Sequence, residues 1–210
     1  MEKLALGKSY CATTILGAIV NCSDNNVKLT IADYKNSFKQ FHGLPNFYGY
    51  TNAINGIKEF YKEMEYRIKH SDEKNENYPI SYLFIDEVSS LIQAQKTKKE
   101  KDDLLNMISN ILNLGREYNC RIIIGMQRAD ASFFEGGARD NFHNIIALGR
   151  LSKEQKNMLF SDYKDKMTIN SFKQGEGYIL VEGHDIERVK VEKIKDIRKL
   201  NDSIKEALKR

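Results

Sequence analysis

The sequence predicts an α/β protein with a mostly parallel central sheet flanked by helices, followed by a C-terminal β-hairpin and a helix. Three observations carry that expectation. Tyr82-Leu83-Phe84-Ile85 and Ile122-Ile123-Ile124 are short continuous apolar runs, as in strands buried on both faces of a parallel sheet. Stretches with helical apolar spacing alternate with them. Near the end, Gly177–Val181 and Ile186–Val191 flank the polar segment Glu182-Gly183-His184-Asp185, a hairpin pattern.

Each element follows from local pattern. Residues 8–22 read as a helix whose apolar part, 11–20, is too short to span a membrane. Asn21, Asp24, Asn25 and Asn26 after it look like a turn, not a leader cleavage region. Val27–Ala32 alternates and then runs apolar, as a strand does. Residues 43–50, with Pro45, Asn46 and Gly49, read as a loop. Residues 51–69 carry Ala53, Ile54, Ile57, Phe60, Tyr61 and Met64 at helical spacing, and 70–79 read as a polar surface loop. After the 82–85 strand, the charged stretch 95–103 (QKTKKEKDD) reads as a solvated loop or helix end. A helix is expected over 103–118 from Leu104, Leu105, Ile108, Ile111, Leu112 and Leu114. Strands at 121–125 and 144–148 and a helix at 153–160 precede the hairpin. Residues 194–208 close the chain as a basic helix, apolar at Ile194, Ile197, Leu200, Ile204 and Leu208.

Composition narrows the function classes only slightly. The 210 residues carry 33 Lys+Arg against 29 Asp+Glu, a net charge of +4, which is a weak pull toward nucleic acid. Cys11, Cys22 and Cys120 are scattered and form no CxxC pair, so neither a zinc nor a disulfide framework is expected and a reducing cytoplasm is the simplest setting. His42, His70, His143 and His184 are too dispersed to argue a metal site by spacing.

Two motifs carry chemistry. Gly7-Lys8-Ser9 before a helix has the form of the end of a phosphate-binding loop, G-x-x-x-x-G-K-[ST]. The glycine admits phosphate oxygens to backbone N–H groups at a helix N-terminus, the lysine reaches the terminal phosphates, and the serine hydroxyl binds Mg²⁺. The first glycine of that pattern would fall at residue 2, which is Glu2, and Lys3-Leu4-Ala5-Leu6 is not glycine-rich. The second motif, Asp86-Glu87, follows the Tyr82–Ile85 run directly. An aspartate there suits Mg²⁺ held through water, and the next glutamate suits polarisation of an attacking water. At the carboxyl edge of a parallel sheet both would face the ligand crevice. Gln127, after the next apolar strand, is a candidate to sense a γ-phosphate or orient water.

Several segments together resemble the FtsK/SpoIIIE-like DNA translocases, in particular the TcpA-like conjugative coupling ATPases. Residues 115–130 (GREYNCRIIIGMQRAD) are similar to a segment running from a GR-containing helix through a strand to a TQRP-like end. Met126 stands where that pattern commonly has Thr, and Ala129 where it has Pro. Asp33-Tyr34-Lys35 resembles a DPK-type turn, residues 137–151 (GARDNFHNIIALGRL) a segment marked by DNF, and Gly175-Glu176-Gly177 a GxG turn.

That resemblance implies a RecA-like P-loop NTPase motor over residues 1–192, with its first strand and the start of its phosphate loop missing, and a C-terminal helix over 193–210. It implies ATP and Mg²⁺, with Gly7, Lys8, Ser9 and Tyr10 at the nucleotide, Ser9 and Asp86 at the metal, and Glu87 and Gln127 catalytic. It further implies a hexameric ring on double-stranded DNA, gripped without sequence preference. Each neighbouring subunit would supply an arginine in trans. Arg128, Arg139 and Arg150 are candidates, with Arg139 and Arg150 best placed. The stretch 95–103 and the Phe133–Gly137 loop are candidate pore loops. The setting implied is cytoplasmic, associated with membrane only through conjugation-channel partners. The incomplete phosphate loop leaves a second expectation open: a degenerate RecA-like domain without ATPase activity that binds DNA or protein.

Overall fold

The computed structural model describes residues 7–23, 26–71, 78–127, 141–168, 171–182 and 184–210. They form two compact units, one of Ile15–Met126 with Asp196–Arg210, the other of the chain up to Thr14 with Gln127–Lys195. Helix α1 (Lys8–Cys22) contributes to both.

In the first unit the apolar runs become a four-stranded, wholly parallel sheet in the order β2–β1–β3–β4. Its strands are β1 (Val27–Asp33), β2 (Phe47–Gly49), β3 (Ile80–Asp86) and β4 (Cys120–Gly125). β1 and β3 are buried on both faces, with Leu29, Ile31, Leu83, Phe84 and Ile85 at most 1% exposed, as continuous apolar runs require. β2 lies within the expected 43–50 loop. It is only three residues long, and its pairing with Ile31, Ala32 and Asp33 depends on β1 rather than on any pattern of its own.

Helix α2 (Ala53–Lys69) buries Ala53, Ile57, Phe60 and Met64 and packs against β1, β2 and β3. After β3 comes the short α3 (Val88–Gln93), which the sequence pattern did not suggest, and then α4 (Lys98–Leu114). α4 starts five residues before the expected boundary, so 98–103 is its first turn and a half, the exposed helix end that the charged stretch left open. The reason is a capping box: the Glu100 N–H donates to Thr97 Oγ1 at 3.1 Å, and the Thr97 N–H donates to Glu100 Oε2 at 2.9 Å. α4 also stops short of 118, because the chain at Gly115 turns so tightly onto Cys120 that a side chain there would strike the Cys120 and Ile111 carbonyls. The last helix, α6 (Ile197–Leu208), is capped by Asp196, buries Ile204, Ala207 and Leu208, and packs against β1. Gly17 of α1 lies against Leu200 of α6, with no room for a β-carbon between them.

At the amino edge of this sheet, Arg67 is 2% exposed. Its Nη1 donates to the carbonyls of Pro79 (3.1 Å), Tyr118 (3.0 Å) and Asn119 (3.1 Å). Its Nη2 donates to Glu63 Oε1 (2.6 Å) and Ser81 Oγ (2.7 Å), and the guanidinium lies 5.0 Å from the centre of the Tyr78 ring. Glu63 also receives Lys28 Nζ at 2.6 Å. Burial works to raise the pKa of Glu63. The hydrogen bonds and charges of Lys28, Ser81 and Arg67 outweigh it and hold the carboxyl below its ordinary range.

The second unit holds an antiparallel sheet in the order β5–β6–β7: β5 (Asn144–Leu148), β6 (Glu176–Val181) and β7 (Glu187–Lys190). β6 and β7 are the expected hairpin. β5 is a strand as expected, but it joins the hairpin and not the parallel sheet. Its alternation turns Ile145 and Ala147 toward Leu180 and Tyr178, and these pack with Phe160, Met167 and Phe172. Helix α5 (Lys153–Leu159) starts at a Ser152–Gln155 capping box.

The Arg67 cluster generates two expectations. Arg67→Met should cost about 3–5 kcal/mol, the scale for removing one partner of a buried ion pair, and should appear as a large drop in the urea midpoint. The depressed Glu63 carboxyl contributes stability that is present above the unfolded carboxylate pKa and is lost as pH falls through the lower folded pKa. Glu63→Gln should therefore flatten the acid limb of a stability–pH profile measured by denaturant titration.

Candidate active site

The parallel register brings the strand ends level. Asp33 of β1 pairs with Asp86 of β3, and Asp86 with Gly125 of β4. Both aspartates are fully buried, and Glu87 is 3% exposed. Three acidic residues thus lie together at the carboxyl edge of the sheet, where open parallel sheets bind ligands.

Each carboxylate has a different job locally. Asp33 is committed to the backbone: Oδ1 accepts from the Ser37 N–H at 3.0 Å and Oδ2 from the Phe38 N–H at 2.7 Å. These bonds close a tight turn through Asn36, which has φ 59°. Phe38, 1% exposed, anchors the turn edge-on against Phe84 of β3 at 5.3 Å. The turn then reaches the neighbouring strand end. Ser37 Oγ donates to Asp86 Oδ2 at 3.2 Å, and Lys35 Nζ lies 3.1 Å from Glu87 Oε2. The Glu87 N–H continues the ladder to the Gly125 carbonyl at 2.7 Å, while its φ of 61° turns the chain abruptly into α3. A left-handed conformation at a non-glycine residue costs about 1–2 kcal/mol. Asn36, Tyr50 and Glu87, which follow β1, β2 and β3, all adopt it. Tyr50 also stacks on Tyr34 at 5.8 Å.

The remaining expected site residues lie in the second unit. Gly7, Lys8, Ser9 and Tyr10 form the start of α1, where the Gly7 carbonyl accepts the Cys11 N–H at 3.1 Å and the Ser9 carbonyl accepts Thr13 Oγ1 at 2.9 Å. The Tyr10 hydroxyl accepts the backbone N–H of Ile194. Gln127 is exposed, two residues beyond the end of β4. Arg150 is exposed after β5, next to Gly149 with φ +78°. Arg128, Arg139 and the Phe133–Gly137 loop lie outside the described residues. The structure therefore groups Asp86 and Glu87 with Asp33, Lys35 and Ser37. Those three were not expected as site residues; the only hint was the DPK-like form of Asp33-Tyr34-Lys35.

Other chemistries find less support. Burial raises the Cys11 thiol above its ordinary range and pushes the Cys120 thiol up to about 11, so neither is activated. Among the described residues no group of three or more His, Cys, Asp or Glu could hold a metal ion by itself. No helix among them is long and apolar enough to cross a membrane.

A parallel sheet with buried carboxylates at its carboxyl edge, flanked by helices and followed by an antiparallel hairpin unit, defines a RecA-like P-loop NTPase fold. No family model matches the sequence. The chain is 26% identical over 189 residues to the FtsK domain-containing protein YdcQ of Bacillus subtilis (strain 168), covering 82% of this chain and 38% of that protein. In structure it is similar to the pCW3 conjugation coupling protein TcpA, with TM-score 0.64 at 18% identity over 88% of this chain and 57% of that one. It is equally similar to the cytoplasmic domain of the Thermomonospora curvata Type VII secretion ATPase EccC, with TM-score 0.64 at 16% identity over 96% of this chain and 27% of that one. In sequence the chain is thus similar to an FtsK domain-containing protein, and it spans well under half the length of that Bacillus relative.

The Asp33 turn can be tested by itself. Asp33→Ala strips the acceptors from two backbone N–H groups and should cost about 1–3 kcal/mol each way the loss is counted. Asp33→Asn keeps one acceptor and should lose less in the same chemical denaturation series.

Proposed function

We propose that the chain is the motor domain of an ATP-driven double-stranded DNA translocase, acting in conjugative DNA transfer or DNA segregation. The observation that carries the reading is the buried Asp86–Glu87 pair at the carboxyl edge of a parallel sheet, level with the end of β4. The likeness to an FtsK domain-containing protein supports the motor class, and the fold shared with a conjugation coupling protein supports conjugation as its setting.

In this reading Gly7, Lys8, Ser9 and Tyr10 contact the nucleotide, with Lys8 at its terminal phosphates. Glu87 accepts a hydrogen bond from the water that attacks the γ-phosphorus, and Gln127 orients that water or senses the phosphate. Mg²⁺ fits the donor set, because Ser9 and Asp86 offer hard oxygens and Mg²⁺ commonly takes one or two protein ligands plus substrate phosphates. When bound, it neutralises charge on the phosphates. Arg139 or Arg150, supplied by a neighbouring subunit of a hexameric ring, stabilises the transferring phosphoryl group, a contribution worth about 10³–10⁵ in rate in related chemistry. DNA is held through its phosphates, without sequence preference. The motor spans residues 1–192, the helix at 193–210 packs as its C-terminal brace, and the work is cytoplasmic with channel proteins as partners.

Steady-state ATP hydrolysis by the 210-residue chain, with and without duplex DNA, tests the reading. Hydrolysis should rise with DNA. Lys8→Ala should abolish nucleotide binding in calorimetry, whereas Glu87→Gln should abolish hydrolysis and leave binding intact. DNA affinity should fall steeply with salt and be alike for unrelated sequences. A folded chain that neither binds nor hydrolyses ATP would instead be a non-enzymatic RecA-like module.

A further inference from the structure

We propose that Tyr50, backed by Tyr34, is a stacking platform for an unpaired base of single-stranded nucleic acid. Stacking of this kind requires no hydrolysis, so it is independent of the ATPase reading above and adds a partner that a duplex motor does not call for.

The parallel register builds the platform. Asp33 of β1 pairs with Gly49 of β2, so the next residues, Tyr34 and Tyr50, leave neighbouring strand ends side by side. Their rings stack with centroids 5.8 Å apart and planes 17° from parallel. Tyr34 is half-buried, whereas Tyr50 is 59% exposed. With one face against Tyr34, Tyr50 presents the rest of its ring to water. Its backbone is fixed, because its carbonyl accepts the N–H of the buried Ala53 at the head of α2. Its φ of 50° lies in the left-handed region, which a bulky residue rarely adopts. A glycine there would carry no such strain, and the ring recovers little by burial. Strain held at an exposed aromatic is of the kind found at ligand clamps.

The surroundings select the partner. From Tyr34 to Lys58 the chain carries Lys35, Lys39 and Lys58 and not one Asp or Glu. Lys39 and Lys58 are exposed, and among the described residues neither enters an ion pair. Thr51, Asn52 and Asn55, also exposed, follow Tyr50. An aromatic face beside lysines and amides fits a planar base on a phosphate backbone; an aliphatic anchor would want an apolar rim. In a duplex each base face is covered by its neighbours, so only an unpaired base can lie on the ring. A second copy of the chain, paired isologously, would set these lysines against themselves.

Fluorescence anisotropy of a labelled, unstructured single-stranded DNA of about 16 nucleotides, the upper site size of one stacking module, tests the platform, with the matching duplex beside it and no ATP present. Tyr50→Ala should weaken single-strand binding roughly tenfold, the scale for one stacked base, and leave duplex binding unchanged. Tyr50→Phe keeps the ring and should bind as wild type does. Should Tyr50→Ala fail to fold by circular dichroism, Tyr50→Asn, which tolerates the left-handed backbone, carries the same comparison. The chain has no Trp, so Tyr50→Trp introduces a single reporter, whose emission should be quenched by the single strand and not by inorganic polyphosphate. Quenching by ATP but not by the single strand would assign the platform to the adenine of the nucleotide and overturn the proposal. So would an absence of single-strand binding by wild type, or an equal loss for single strand and duplex in Tyr50→Ala. A change in sedimentation of Tyr50→Ala with single-strand binding intact would mark a contact between copies and overturn it too. Since hydrolysis is not read, none of these outcomes touches the ATPase reading.

Discussion

The structure depends on β1, β3 and β4 ending at the same level, and the interaction that sets this lies at the opposite end of the sheet. Arg67 gathers the carbonyls before β3 and before β4, together with Ser81 inside β3, around one buried guanidinium. Parallel strands have no hairpin to fix their register. Here a single planar cation with several donors does that work, bonding to two chain segments at once. Because side chains alternate with period two, a slip of one residue would turn Asp86 into the opposite face and bury a different set of apolar groups. Glu63 and Lys28 extend the cluster to α2 and β1, so three strands and a helix share one electrostatic anchor.

At the carboxyl edge the same register concentrates unfavourable features. Three carboxylates sit out of water, and the strands β1, β2 and β3 are each followed by a residue in the left-handed region. A fold selected for stability alone would not gather these costs in one place, and such clustering is the physical mark of a functional edge. The turn after β1 offsets part of the cost. Asp33 accepts from two backbone N–H groups, Asp86 Oδ2 accepts from Ser37, and Glu87 pairs with Lys35. One short loop therefore supplies polar partners to every member of the acidic cluster, and its anchor is an apolar contact, Phe38 on Phe84.

Much of this was legible in the sequence wherever the local pattern was strong enough to decide. The apolar runs at 82–85 and 122–124 gave parallel strands, and their placement before Asp86-Glu87 put that pair at the sheet edge. The start of α4 was missed: Thr97-Lys98-Lys99-Glu100 forms a capping box, but the high charge of the segment disguised it. β2 was not legible, because three residues carry no period and their strand character comes from β1. The sheet to which β5 belongs was not legible either. Asn144–Leu148 is apolar enough for either sheet, and only its pairing with Leu180 and Tyr178 decides. Lys35 and Ser37 were hidden for a similar reason. Their roles exist only once the Asp33–Asp86 register sets two strand ends side by side.

Charge is where composition and structure part company. The closing helix reads as basic, yet Lys205 pairs with Asp202 and Lys209 with Glu206 within it, and its apolar side is buried against β1. Elsewhere Lys62 pairs with Glu59 and Lys166 with Asp185. Exposed pairs of this kind contribute little to stability, but they cancel the local field that a polyanion would feel. A net charge of +4 divided in this way is therefore no measure of the field at any one face of the chain.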